Sequence, residues 1–160
     1  FLISVGSLVA AIFGAQQLSG LDEIPLAVYR ALAGLFLILT LLGALTVAQL
    51  ARLRLAWVEA ALAMNQIKAF YTQHFKDLEK AFRWRTETLP DKYKTDSISY
   101  YTVLEVALLS ALTFGASVYF LQMGVAYISC LWAFTISAGT LAFFAQLVFY
   151  KHLINKKRNP

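Results

Sequence analysis

Charge is the first thing this chain has little of. Asp, Glu, Lys and Arg make up 14% of its 160 residues, against about 25% in soluble domains. Hydrophobic residues reach 59% and mean hydropathy is +0.62, more apolar surface than a soluble domain of this length can bury. Cysteine is nearly absent. Cys130 stands alone, so no disulfide forms within these residues and the redox compartment is not legible. Histidine is nearly absent too, with His74 on an amphipathic segment and His152 at a membrane rim. A haem held inside a helical bundle needs two histidines, or His and Met, at membrane depth. No Cys–His spacing suits zinc, and there is no glycine-rich phosphate loop, nucleophile–base arrangement or paired carboxylate site. The sequence therefore predicts no catalytic residue, no metal and no cofactor, and a protein that is not an enzyme.

What the chain does have is long apolar runs that end at basic residues. Tyr101–Phe120 and Val125–Tyr150 are the clearest, and Lys151, Lys156, Lys157 and Arg158 follow the second. About 20 apolar residues match the roughly 30 Å hydrocarbon core of a bilayer. Four spans are expected, at about 1–18, 26–50, 99–121 and 125–150, in one membrane domain covering 1–160. The first reads as a span rather than a signal peptide, because no positive n-region or small-residue cleavage site is visible. Pro25, with Asp22 and Glu23 before it, suits the start of the second. Gln122-Met123-Gly124 reads as a tight hairpin between the last two.

Lys and Arg set the expected orientation, because cytoplasmic loops retain them. Nine lie between Ala51 and Ile98 and four in the C-terminal tail, while the loops at 20–24 and 122–124 hold none. Both termini and the long connection are expected in the cytoplasm. That connection carries Leu53, Trp57, Ala60, Met64, Ile67, Tyr71, Phe75, Leu78 and Phe82 at spacings of three and four, one face of a helix. No glycine or proline interrupts 53–89. The fold expected is thus all-α, a four-span transmembrane helix bundle with a long amphipathic cytoplasmic helix over about 51–89. That helix either continues the second span as a rod or bends to lie on the membrane surface.

Three sets of candidate residues follow. Ionisable groups inside a span are functional hypotheses, and here they are Arg30 and Glu105, near opposite faces of the bilayer. Small residues recur every four positions as Gly6/Ala10/Gly14, Ala107/Ala111/Gly115 and Ser129/Ala133/Ser137, which lets helices approach closely. They serve packing within the bundle or against another subunit. On the cytoplasmic helix, Trp57, Met64, Asn65, Ile67, Tyr71 and Phe75 are candidates to meet a partner helix or the membrane surface, with the Asn65 amide placed to fix register.

The stretch from Arg52 to Tyr71 carries Met64-Asn65, Ile67-Lys68 and Phe70-Tyr71. It resembles a recurring pattern in small bacterial inner-membrane proteins of uncharacterised function, where a membrane helix is followed by Met-Asn-x-Ile-basic-x-aromatic-aromatic. The resemblance implies a bacterial cytoplasmic-membrane setting and paired spans around a cytoplasmic helix, and no activity. Two functions fit these readings. One is a non-catalytic membrane subunit that packs against or scaffolds a larger membrane complex. The other is a self-assembling oligomeric pore. The expected partners are the lipid bilayer, other membrane subunits or copies of the chain, and anionic lipid at the cytoplasmic rim, with no role for nucleic acid.

Overall fold

The computed structural model describes Gly6, Ala10 and residues 25–75, 89, 91–123 and 131–155. These form three helices: α1 (Leu26–His74, 49 residues), α2 (Ile98–Met123, 26 residues) and α3 (Leu131–Asn155, 25 residues). No strand occurs among the described residues. All three helices are long and apolar enough to cross a membrane.

The all-α class agrees with the sequence, but the four-span bundle does not: among the described residues three membrane-length helices stand in its place. The expected first span lies outside the described residues except for Gly6 and Ala10, which are helical. Of the two courses open to the cytoplasmic helix, the continuous one is found: α1 runs on from the second span to His74 as a single helix. Nothing between Ala51 and His74 breaks it, because the stretch is rich in Ala, Leu and Gln and free of glycine and proline. At about 1.5 Å per residue α1 is about 74 Å long, more than twice the hydrocarbon thickness. Gln122 and Met123, expected in a hairpin, end α2, and residues 124–130, where the fourth span is expected to begin, lie outside the described residues.

Each described helix start has a local cause. The Pro25 carbonyl accepts the Val28 amide at 2.9 Å, so the proline sits just ahead of α1, where its missing N–H costs nothing. Ser97 caps α2. Its carbonyl accepts the amides of Tyr100 and Tyr101, and its Oγ accepts from Tyr100 N at 3.3 Å, satisfying donors that a helix start leaves open. At the other end of α1, His74 Nδ1 meets the Phe70 carbonyl at 2.9 Å.

The chain packs as two compact units, Phe1–Leu42 with Ser110–Ala142, and Gly43–Leu109 with Phe143–Pro160. In the first, α1 and α2 meet through Leu32, Ala33 and Phe120, with Phe36 stacked on Phe120 at 5.6 Å. Small polar residues join the two helices. Ser117 Oγ donates to the Ala33 carbonyl at 2.8 Å, Ser110 Oγ to the Thr40 carbonyl at 3.1 Å, and Thr40 and Thr113 Oγ1 lie 3.0 Å apart. Both threonines also reach a carbonyl of their own helix, Phe36 and Ser110 respectively. Each hydroxyl has one proton, so at most two of these three contacts are hydrogen bonds at any moment. Without water to compete, such bonds hold membrane helices together at about 0.6 kcal/mol each on average.

In the same unit α2 and α3 approach through glycines. A Cβ on Gly115 would stand 3.6 Å from the Thr135 carbonyl oxygen, and one on Gly139 only 3.2 Å from that of Ala111. The second unit is built on Val47, Ala51, Val103, Tyr150 and Ile154, with Tyr93 and Tyr100 packed against them.

Candidate functional surface on the first helix

Helix α1 carries two faces beyond its apolar half. Along one, Val47, Ala51, Arg54, Val58, Ala61, Asn65, Lys68 and Thr72 recur at alternating steps of four and three, and all are buried or half-buried. That spacing of 3.5 is the seam of a coiled coil. Its members are small or polar and nothing in their hydropathy marks them. The other face is the one whose apolar pattern the sequence displays. Leu53, Trp57, Met64, Ile67, Tyr71 and Phe75 all lie exposed, with Ile67 and Phe75 each at 59%. Phe70 stands beside them at 60%.

Asn65 does not share that exposed face. One residue on from Met64 is about 100° around the helix, which places it in the inner seam at 4% exposure. Its Nδ2 has no hydrogen-bond partner among the described residues. A buried donor left unmet costs about 1–3 kcal/mol. The amide lines a groove of about 240 Å³ whose other walls include Trp57, Ala61, Met64, Lys68 and Leu89. The unmet group there is a donor, the Asn65 Nδ2, so the groove suits an acceptor on an apolar body.

Arg54 shapes the base of this surface. Its Nε donates to the Lys92 carbonyl at 3.3 Å and its Nη2 to the Asp91 carbonyl at 3.1 Å. The guanidinium also lies 4.7 Å from the centre of the Trp57 ring. One side chain thereby ties the returning chain to α1 and orients the indole, as a planar guanidinium does well. Beside it Tyr93, Tyr100 and Tyr150 pack with ring centres 5.9–6.4 Å apart, and Lys151 Nζ lies 5.9 Å from the Tyr93 ring centre.

Burial pushes the Tyr93 phenol above its ordinary 10.0, and a hydrogen bond with Tyr100 and the nearby Tyr150 act in the same direction. A phenol raised in the folded state keeps its contribution to stability below the unfolded value and loses it as pH rises through the folded one. The tyrosine cluster is therefore intact at neutral pH and loosens only in alkali. In a spectrophotometric titration, the ionisation step missing from Tyr93→Phe is expected above pH 10.0; a step at or below that value would contradict the assignment.

The remaining predicted residues are dispersed. Ala107, Ala111 and Gly115 are all buried, so the α2 stripe packs within the chain. On α3, Ala133 and Ser137 are exposed, and the Ser137 hydroxyl returns to the Ala133 carbonyl at 2.7 Å. Within the chain it is Thr135 and Gly139, not Ala133 and Ser137, that face α2. Gly6 and Ala10 are exposed, while Gly14 and Ser129 lie outside the described residues. Arg30 and Glu105 are both exposed. Among the described residues no group of His, Cys, Asp and Glu could hold a metal ion.

No protein-family model matches this chain, and neither does any curated protein or solved structure.

Sequence reasoning missed the clamp made by Arg54. Its signal was present, since positions three apart on a helix are neighbours and Arg54 and Trp57 are so spaced. The tyrosine cluster had no such signal, because its members come from a linker and two helices.

Proposed function

We propose that this protein is a non-catalytic membrane subunit that scaffolds a larger membrane complex through the exposed face of α1. The observation that carries this is the row of large apolar side chains beyond the membrane-length part of the helix. If the bilayer ends near Arg52, Phe75 stands about 35 Å away along the axis. Lipid does not reach that far, and apolar patches of this kind on a protein mark interaction sites. The basic residues at 51–98 and in the tail favour a cytoplasmic position for that part of the chain, and the resemblance around Met64 and Tyr71 favours a bacterial inner membrane. The pore reading has less support, since the span hydroxyls of Thr40, Ser110, Thr113 and Ser117 are engaged within the chain rather than left to line a channel.

The test is accessibility in the native membrane. In a Cys130→Ser background, Met64→Cys is expected to react with a hydrophilic maleimide at least tenfold more slowly before denaturation than after. Equal rates would mean that nothing covers this face.

A further inference from the structure

The covered face has a particular geometry. Trp57, Met64 and Tyr71 are spaced by seven residues, and so are Leu53, Ala60 and Ile67. These are the two core positions of a heptad repeat, and both are presented on one continuous helix. Resting on the reading that this face is covered, we infer that a second copy of the chain covers it. The pair is a parallel, in-register two-helix coil standing on the membrane.

Three observations select a second copy. The first is height. Two copies inserted the same way leave the bilayer at the same level and in the same direction, so identical residues meet without any further device to fix register.

The second is charge. In a parallel pair the residue before each Trp57-type position faces the residue after an Ile67-type position on the other helix. Here Ala56 meets Ala61, Ala63 meets Lys68, and Phe70 meets Phe75. No like charges oppose each other. The core layers are uncharged from Leu53 to Tyr71, and the small Ala60 layer leaves room beside the bulk of Trp57.

The third is area. An aromatic side chain buries about 150–250 Å² in full, and the large residues of this face are roughly half exposed. About 100 Å² for each of seven, in two copies, comes to roughly 1,400 Å², within the range of stable interfaces.

Cysteine cross-linking of the full chain in its own membrane tests this directly. In the Cys130→Ser background, oxidation with copper phenanthroline is expected to convert both Ala60→Cys and Ile67→Cys to a species of twice 17.8 kDa. Gln66→Cys, off the seam, is expected to yield at least tenfold less. Equal cross-linking at Gln66 would indicate random collision and overturn the proposal. Absence of the doubled species at both Ala60 and Ile67 would do the same. If Met64→Cys is nevertheless shielded from maleimide, the scaffold reading stands and a different occupant covers the face. If it is not shielded, both fall together.

Discussion

Ile67→Asp is expected to separate the assembly while leaving the single chain folded. In the chain alone this side chain is 59% exposed, so an aspartate there costs the monomer little, about 0.5 kcal/mol or less. In the paired state the same position lies in an apolar core layer, and each copy would bury a carboxylate with no partner. An uncompensated buried charge costs about 3–5 kcal/mol, which at 1.4 kcal/mol per decade weakens association by roughly a thousandfold or more. Gln66→Asp adds the same charge one residue away, on an exposed surface, and is expected to change association by no more than about threefold. Size-exclusion chromatography separates the outcomes, with circular dichroism reporting helix content. If Ile67→Asp elutes with the parent protein, or if the two variants behave alike, the apolar face is not what engages.

Gly139→Leu is expected to be the most damaging single change to the fold. A Cβ at this position already stands 3.2 Å from the Ala111 carbonyl oxygen, a backbone atom that cannot swing aside as a side chain would. The rest of a leucine has to push α3 away from α2 and lose the contacts around it. Overpacking of this kind costs about 1–3 kcal/mol. Gly115→Ala is the matched control: its new Cβ would lie 3.6 Å from the Thr135 carbonyl oxygen, an ordinary contact, and the gain in helix propensity offsets part of any strain. Thermal unfolding in detergent should show Gly139→Leu several degrees below the parent protein and Gly115→Ala within about two degrees of it. Equal melting temperatures for all three would mean that the close approach at Gly139 does not support the fold.

Much of this architecture was legible from residue order, and the misses have physical causes. The spans at 26–50 and 99–121 read directly as membrane helices, since length and hydropathy suffice for that. The count of four spans did not survive: among the described residues three helices are long and apolar enough to cross a membrane, and the expected first span lies outside those residues except for Gly6 and Ala10. The outer face of α1 was visible because Trp57, Met64, Ile67 and Tyr71 are large and apolar at helical spacing. Its inner seam was not, because Ala51, Ala61 and Asn65 look neutral in any hydropathy pattern. Their burial is a property of what packs on them. The polar contacts within the membrane lay beyond sequence reading for a similar reason. Ser110 and Ser117 stand 70 and 84 residues from the carbonyls they reach, and only the register of α1 against α2 decides which carbonyls those are. On α3 the Ala133 and Ser137 stripe has the right residues for close packing but faces outward, while Thr135 and Gly139, two residues on from each, do the packing. A four-residue repeat identifies a face that can approach a neighbour without saying where the neighbour stands.

The account turns on whether α1 leaves the membrane alone or paired. The native mass of the full chain, extracted from its own membrane in mild detergent and corrected for bound detergent and lipid, decides this most directly. A particle containing at least two chains of 17.8 kDa, with or without other polypeptides, is the result expected. A monodisperse particle holding one chain and nothing else would contradict it.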